Sequence, residues 1–418
     1  MNVKKLFFAF THLKDIVKDA RIAIASTGVL YEYIFLNIYR KQFKSFLELN
    51  GYDNNPLPGE IDFQKKWGGV NTVEPYSFRF YSHYVTDPNI IVSEGIAHLQ
   101  IENVLNSRRH NEFYSDKNSY DLFLVDINRP RTLLRRNGYD YLMNEQYEVI
   151  ANCKDDSFDF KKQLGCSPAI IVKPSVDSCS GIGVEKFALV DGEYKAAKGD
   201  VLTLDYLRSK YPYFIIQSCV EQSPFISSFC STAINTLRLC VYKSVLNGDW
   251  KVTASVLRVG KEGNVVDNAH AGGGMVKINL SSGKLGNKLM FSNGKSVTQW
   301  NNIDFSNSSF TIPNWDSVKA FALRIAQKYY GFHLIALDIC LDKDNTPVLI
   351  EVNTNQFSFW IPLYFNFDVF GGELDEVLNV SDRIAVVNNG ELIGIVNANE
   401  TNENEVGLMM AGVKKEEA

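Results

Sequence analysis

The sequence predicts an α+β fold, with a helix-rich N-terminal region followed by a larger part built from short apolar strands. From residue 126 onward, short apolar runs bounded by Gly, Pro and Asn recur along the chain, and such runs are typical of buried strands. A later segment, 315–330, instead places Val318, Ala322, Ile325 and Tyr329 on one helical face. Strands and helices therefore both contribute to the core.

Individual elements follow from these patterns. Strands are predicted at 169–173, 184–190, 213–217, 236–242, 251–259, 334–341 and 348–352, and a helix is predicted at 202–211. For the helix at 315–330, Asn314 is the expected N-cap and Gly331 the expected stop. A basic cluster that includes Arg131, Arg135 and Arg136 is expected to form a solvated surface turn or helix.

The changes in pattern divide the chain of 418 residues into three predicted parts. These are a helix-rich accessory region at 1–125, a main domain at 126–372 and an appended tail at 373–418. The main domain consists of two lobes, 126–216 and 217–372. We find no catalytic motif in the accessory region.

Composition narrows the classes of function. The chain carries 43 Lys and Arg against 48 Asp and Glu, a net charge of -5 at pH 7. The absence of a long basic stripe argues against nucleic acid as a partner. Seven scattered cysteines without a Cys-x-x-Cys pair indicate neither a zinc site nor a redox pair, and suit a reducing cytoplasm.

The N-terminus bears on localisation. Leu6, Phe10, Leu13, Val17 and Ala20 recur at helical spacing, which predicts an amphipathic helix packed against the body, with a membrane surface as the alternative. No apolar stretch is long enough to span a bilayer. The expected location is the cytoplasm, with a peripheral position at the inner face of the membrane as the alternative.

The segment 334–353 predicts a β-hairpin, because Asp344 and Asn345 supply turn chemistry between two apolar runs. A turn centred between those two residues fixes the register of the strands. The expected apolar pairs on one face are Leu341 with Val348, Ile339 with Ile350, and Leu337 with Val352. The other face then carries Asp338 opposite Glu351, with Asn353 two residues further along.

Two facing carboxylates repel each other, and a bound hard cation removes that repulsion. An aspartate, a glutamate and an amide oxygen suit Mg²⁺ bound together with phosphate oxygens. The alternative is an exposed hairpin with solvated acids, but these acids lie inside very apolar strands. The sequence therefore predicts a metal site formed by Asp338, Glu351 and Asn353.

These three residues resemble the aspartate and the Glu-x-Asn pair that hold magnesium in ATP-grasp enzymes. Residues 126–370 most resemble the sugar-transfer-associated ATP-grasp family of bacterial cell-surface polysaccharide synthesis. The segments that carry the resemblance are IIVKPS at 170–175, SGIG at 180–183, IIQ at 215–217, INTLR at 234–238, VLRVG at 256–260, VDN at 266–268 with GG at 272–273, and DKNSYD at 116–121. The resemblance implies two α+β lobes whose antiparallel sheets grip ATP, with Mg²⁺ as the second cofactor.

The resemblance also implies roles for the nucleotide-binding residues. Lys173 would contact the phosphates, and the loop after it would form a lid over them. The lid residues would be Ser178, Ser180, Gly181 and Gly183. The hinge that reads the adenine would be Gln217, Ser218, Cys219 and Val220. The lid departs from the family pattern, since it has fewer glycines, no lysine, and Ile182 in its centre.

Catalytic residues are assigned less directly. A buried arginine such as Arg238 needs an anionic partner, either a structural carboxylate or a transferred phosphoryl group. Many ATP-grasp ligases have an arginine two residues before the metal aspartate, where this chain has Ala336. We therefore assign that catalytic role to Arg238, with Arg258 as the second candidate. The expected acceptor-pocket residues are Asn235, Asp267, Asn268 and His270.

The tail reads differently from the main domain. Residues 373–418 resemble the closing segment of ABC sugar-transporter ATPases. The chain has no Gly-x-x-x-x-Gly-Lys-Ser/Thr loop, so it is not itself such an ATPase. The expected structure is a small strand–turn–strand unit.

The resemblance implies ATP-dependent ligation, in which a carboxylate is activated as an acyl phosphate for attack by an amine or similar nucleophile. The partners would be a nucleotide and a small-molecule or glycan-precursor substrate. One alternative is an ATP-grasp phosphotransferase acting on a sugar or lipid-linked intermediate. Another is a nucleotide-binding partner of a glycosyltransferase complex with little turnover. The acceptor and the oligomeric state do not follow from the sequence.

Overall fold

A computed structural model describes residues 29–68, 73–155, 157–176, 181–264, 267, 272–307, 309–378, 383–388, 391–397, 401 and 403–410. The helix predicted at residues 6–20 lies outside this part of the chain. The α-helices comprise Val29–Asn50, Glu60–Lys66, Tyr76–Tyr81, Glu94–Ile96, Glu102–Leu105, Arg108–Ser115, Tyr120–Phe123, Phe160–Gln163, Leu204–Lys210, Pro224–Ser227, Trp315–Ala326, Trp360–Tyr364, Leu374–Leu378 and Glu403–Met410. A π-helical stretch, Ala97–Ile101, joins the fourth and fifth of these into one continuous helical segment.

The first lobe is a seven-stranded antiparallel sheet. Its strands are β1 (Thr132–Asn137), β2 (Tyr141–Met143), β3 (Val149–Asn152), β4 (Ala169–Pro174), β5 (Glu185–Val190), β6 (Glu193–Ala196) and β7 (Tyr213–Ser218). The order is β3-β2-β1-β7-β4-β5-β6. Lys173, near the end of β4, pairs with Ile215 of central strand β7, so the sheet itself fixes its position.

The second lobe is another antiparallel sheet, in the order β12-β11-β10-β9-β8-β15-β16. The remaining strands are β8 (Thr236–Lys243), β9 (Trp250–Val259), β10 (Gly274–Ile278), β11 (Leu285–Met290), β12 (Ser296–Val297), β13 (Gln299–Trp300), β14 (Ile303–Asp304), β15 (Leu334–Leu341), β16 (Pro347–Asn353), β17 (Arg383–Asn388) and β18 (Glu391–Asn397). This α+β architecture, two antiparallel sheets preceded by helices, agrees with the predicted fold class.

The second sheet is covered on both faces. Alternate side chains of β8 enter different cores, with Tyr242 packing among N-terminal residues such as Phe43 and Leu239 packing with Val318 and Ile325 of Trp315–Ala326. Because alternate residues of a strand point to opposite faces, each face of this sheet packs against its own apolar cluster. The N-terminal helices therefore form one wall of the main domain.

The β15–β16 hairpin keeps only part of the predicted register. Asp338 pairs with Glu351 and Leu337 with Val352, as predicted, but Ile339 pairs with Leu349 instead of Ile350. Leu341 likewise pairs with Pro347 instead of Val348. Each partner near the turn lies one position earlier than predicted, so the turn is centred on Asp344, with Asn345 in the left-handed region at φ 59°, and a bulge at Ile350 restores the register.

Two local predictions are wrong. Asn314 adopts a left-handed conformation without a side-chain cap, and the helix it precedes ends at Ala326 rather than near Gly331. The basic cluster is a solvated surface only at Arg131, whose side chain is 71% exposed, whereas Arg135 is fully buried and Arg136 is 8% exposed. The Arg135 guanidinium donates to the Asn118 carbonyl at 2.7 Å, pairs with Asp121, and lies 3.9 Å from the centre of the Tyr147 ring. An enclosed guanidinium is tolerated because these partners satisfy it.

The C-terminal part contains the two strands of the expected unit, β17 paired antiparallel with β18. The helix Glu403–Met410 follows, which the sequence analysis does not predict. Before that unit, Glu373 is buried against the second sheet and accepts hydrogen bonds from Ser244 and Tyr242. Among the described residues, no helix combines the length and apolar character that crossing a membrane requires.

Candidate active site

Two cavities meet between the lobes. The first has a volume of about 310 Å³ and the second about 950 Å³. Residues that line both are Lys117, Gly181, Arg258, Asp267, Asp338 and Glu351. A molecule in the first cavity and a molecule in the second would therefore contact the same charged side chains.

The first cavity contains most of the predicted nucleotide-binding residues. It is lined by Lys173, Gly181, Gln217, Ser218, Cys219 and Val220. The Gln217 side chain donates to the Pro130 carbonyl at 3.3 Å, and the Ser218 hydroxyl accepts from the Arg131 amide at 3.0 Å. These bonds attach the end of β7 to the segment before β1, so the predicted hinge has a defined conformation.

Lys173 is 7% exposed. Its burial, followed by the positive charge of Lys117, lowers its pKa to about 8, against a smaller opposing effect of Glu351. The ammonium group remains mostly protonated at neutral pH, although its surroundings disfavour the charge. An anionic ligand in the first cavity would stabilise the charged form.

Asp338 is held by two arginines. Arg238 Nε and Nη2 donate to Asp338 Oδ1 and Oδ2 at 2.6 and 2.7 Å, and Arg258 Nη1 donates to Oδ2 at 3.0 Å. Burial alone would raise the pKa of Asp338, but the two guanidinium groups outweigh it and hold the pKa at about 2. Arg258 also pairs with Asp267 at 2.9 Å.

Glu351 has a different partner. Its Oε1 lies 2.8 Å from Lys117 Nζ, and its side chain is 30% exposed. Repulsion between Asp338 and Glu351, on which the sequence argument relied, is therefore offset by cations in this structure. Three carboxylates, Asp267, Asp338 and Glu351, face three cations, Lys117, Arg238 and Arg258, and the group is close to neutral.

The donor set fits Mg²⁺. Among the described residues, no three acidic, histidine or cysteine side chains converge on one point, so the candidate protein ligands are two carboxylates and the amide oxygen of Asn353. Mg²⁺ commonly uses one or two carboxylates together with phosphate oxygens and waters. A carboxylate has about four lone-pair sites, and Asp338 accepts three hydrogen bonds. Glu351 is thus the more available ligand.

Lys117 is the site residue that the sequence analysis missed. It lies in a 3₁₀ turn, Lys117–Ser119, whose preceding residue Asp116 caps the Asn118 amide. Its own amide donates to the Ser175 carbonyl at 3.0 Å, which connects this turn to the end of β4. The signal was present in the DKNSYD segment, but that segment falls in the region taken to be accessory.

Other predicted residues have structural partners or lie elsewhere. Asn235 is fully buried, and its amide donates to the carbonyls of Ile226 and Cys230, so its side chain fixes a loop. Gly183 has φ 79°, and a side chain there would collide with Pro174. The remaining predicted residues, Ser178, Ser180, Asn268 and His270, lie outside the described part of the chain.

Two antiparallel lobes with a cation-lined cavity between them define the ATP-grasp class of enzyme. The model of one family in this class, described as sugar-transfer associated ATP-grasp, matches residues 99–376. The chain belongs to that family. ATP-grasp proteins bind ATP together with Mg²⁺, and these are the cofactors of the chain.

Solved structures with a related arrangement share little sequence with the chain. The ATP-grasp ligase PsnB, complexed with a minimal precursor, is 14% identical, with 68% of each chain covered and a TM-score of 0.35. D-alanyl-alanine synthetase A from Vibrio cholerae O1 biovar eltor is 16% identical, with 64% of this chain and 63% of that chain covered and a TM-score of 0.35.

Curated relatives match a short stretch. The chain is 54% identical over 46 residues to the guanosine import ATP-binding protein NupO of Bacillus subtilis. It is 52% identical over 44 residues to the nucleoside import ATP-binding protein NupA of Lactococcus lactis. The chain spans about a tenth of the length of these proteins, 9% in each case.

Proposed function

We propose that the chain activates a carboxylate as an acyl phosphate and transfers it to an amine or similar nucleophile, acting on a glycan precursor in cell-surface polysaccharide synthesis. The observation that carries this proposal is the meeting of the two cavities at Lys117, Arg258, Asp338 and Glu351. A nucleotide in one cavity and an acceptor in the other would place the transferred phosphoryl group among these charges. The family description supports the glycan context.

In the first step of this reaction, an acceptor carboxylate oxygen attacks the γ-phosphorus of ATP, the bond to the bridging oxygen breaks, and ADP leaves. Lys173 and Lys117 would hold the phosphates, since both line the first cavity. Arg258 would stabilise charge on the transferred group, because its guanidinium reaches both cavities. Arg238 would act mainly by holding Asp338 and Arg258 in position.

In the second step, the nucleophile's nitrogen attacks the acyl carbon, the bond to the phosphate oxygen breaks, and inorganic phosphate leaves as the nitrogen loses a proton. Glu351, Asn353 and Asp338 would hold Mg²⁺. When bound there, the ion would screen phosphate charge that the protein cations do not neutralise. Lys117 would move from Glu351 toward the nucleotide, which leaves that carboxylate available.

An acyl phosphate is recognised by its reaction with hydroxylamine, which forms a stable hydroxamate. The protein is incubated with ATP, Mg²⁺, hydroxylamine and a panel of sugar acids and amino acids. We expect ADP and hydroxamate in equal amounts from at least one acid. Lys117→Ala removes a cation from the site and should slow hydroxamate formation at least about tenfold. Lys154→Ala, which changes an exposed lysine of the first lobe, should leave the rate unchanged.

The assay also separates the alternatives. Phosphate retained on the product, with no hydroxamate, identifies a phosphotransferase. Tight nucleotide binding without ADP release across the panel contradicts catalysis and favours a nucleotide-binding partner of another enzyme.

A further inference from the structure

The second cavity has a wall that the proposed chemistry does not use. Glu94, His98 and Glu102 follow one another at four-residue spacing through the π-helical segment, so their side chains share one face. All three line the 950 Å³ cavity. The same cavity also includes the junction with the first cavity, at Lys117 and Glu351.

Hydrogen bonds fix the geometry of this wall. His98 Nδ1 lies 2.8 Å from Glu102 Oε2, and Tyr81 Oη donates to Glu94 Oε2 at 3.1 Å. The other oxygen, Glu94 Oε1, lies 3.7 Å from His98 Nε2, an ion pair that is longer than an ordinary hydrogen bond. A ligand ammonium group in the cavity would compete with His98 for this oxygen.

The wall carries net negative charge. Burial would lower the pKa of His98, but the carboxylates of Glu102, which accepts a hydrogen bond from the imidazole, and of Glu94 outweigh burial and raise the pKa to about 9. One imidazolium therefore faces two carboxylates at neutral pH. The described Lys and Arg residues that line this cavity are Lys117, Arg238 and Arg258, and each is paired with a carboxylate at the junction.

Aromatic rings also line this cavity, namely Phe35, Tyr39, Phe46, Tyr81 and Trp360. The rings of Phe35 and Tyr39 lie 6.5 and 6.0 Å from the His98 ring. Aromatic faces attract cations, and an aromatic enclosure with a carboxylate is a known way to bind ammonium groups. The segment after β16 connects this wall to the candidate metal site. The Phe357 amide donates to Glu102, and Phe357 lies only a few residues beyond Asn353.

We propose that the second cavity binds a bipolar acceptor, with its reacting carboxylate at Lys117 and Arg258 and a protonated amine at Glu94. The position of the carboxylate rests on the proposed function. The substrate class would then be amino acids, amino sugar acids or related zwitterions. The volume of 950 Å³ accommodates a ligand of this size with room for the second substrate.

The experiment measures binding without turnover. Full-length protein with Mg²⁺ and a non-hydrolysable ATP analogue is titrated with amino acids and amino sugar acids, each beside its N-acetylated, uncharged-amine form. We expect the ammonium form of at least one pair to bind about tenfold tighter, as a charged hydrogen bond implies. Glu94→Gln should abolish the preference, and Glu112→Gln, an exposed acid on a nearby helix, should retain it.

Nucleotide affinity in Glu94→Gln should equal that of the wild type. An equal or stronger affinity for the acetylated forms, or binding of neither member of any pair, overturns the inference. If Glu94→Gln does not fold, Tyr39→Leu replaces it and should weaken the same preference. The titration measures binding and requires no turnover, so it tests the charge preference separately from the proposed reaction. Absence of ADP release in the hydroxylamine assay would contradict the proposed function and would leave the result of the titration unaffected.

Discussion

Arg238 and Asp338 face each other directly on β8 and β15 and form two hydrogen bonds, at 2.6 and 2.7 Å. A fork-to-fork guanidinium–carboxylate pair of this kind fixes both side chains in orientation. Arg238, which was predicted to stabilise the transferred phosphoryl group, thus also holds Asp338, which was predicted to bind metal. Arg258 bonds to Asp338 and lines both cavities, so we expect it to couple nucleotide binding to the position of Asp338.

The ionisation of Asp338 should make stability depend on pH. The folded-state pKa of Asp338, about 2, lies below the ordinary value of an aspartate. Its ionised form therefore contributes to the free energy of unfolding above the ordinary pKa, and this contribution is lost as the pH falls toward 2. The contribution is on the order of 2 kcal/mol. Denaturant unfolding at pH 5, 4 and 3 should show a steeper loss in the wild type than in Asp338→Asn. Parallel pH profiles would contradict this ion pairing.

Lys173 should make nucleotide affinity depend on pH. Lys173→Ala removes a phosphate cation and should weaken ATP binding by about 1.5–3 kcal/mol with the fold intact. Because the pKa of Lys173 is about 8, wild-type affinity should fall as the pH rises from 7 to 9, and the variant should lack that component. Calorimetry at three pH values measures both, and unchanged affinity in the variant excludes Lys173 as a ligand.

Glu351→Gln tests the metal site. In the absence of metal the variant should be less stable than the wild type by about 1–3 kcal/mol, because it loses the 2.8 Å ion pair with Lys117, whose side chain is only 7% exposed. Mg²⁺ with an ATP analogue should raise the melting temperature of the wild type much more than that of the variant. Equal shifts would exclude Glu351 as a metal ligand.

The strands were predictable because their signals are local. The apolar runs in β4, β7, β8, β9 and β15 each indicate burial without reference to the rest of the chain. The facing of Asp338 and Glu351 also followed, since both lie in one hairpin. The bulge at Ile350 could not be predicted, because the same residues are compatible with two turn positions. Packing on both faces of the hairpin selects between them.

Contacts between distant segments could not be predicted. A buried arginine at 238 requires an anion, but its identity depends on β15 lying next to β8, which spacing does not reveal. Lys117 and Glu351 are likewise far apart in sequence. Their meeting requires the turn at 117–119 to dock on the end of β4, through a backbone hydrogen bond to Ser175.

The last prediction concerns where the main domain ends. A boundary before Glu373 would remove a buried carboxylate that accepts from Ser244 at 2.8 Å and pairs with Lys251 at 2.6 Å. It would also remove Leu374 and Val377 from the core. Burying an aliphatic side chain of this size contributes about 1.5–3 kcal/mol, so deletion of 373–418 should lower the free energy of unfolding by at least about 3 kcal/mol.

Deletion of 379–418 keeps all of these contacts and should retain both the wild-type melting temperature of the main domain and its nucleotide affinity. Thermal melts and calorimetry on the two truncated proteins make the comparison, with the longer one as the matched control. Similar stability of the two would show that the Glu373 contacts contribute nothing. Every proposed nucleotide or metal ligand precedes residue 354, so the protein ending at Leu378 keeps all of them. If that protein nevertheless loses nucleotide binding, the tail is needed to complete the site.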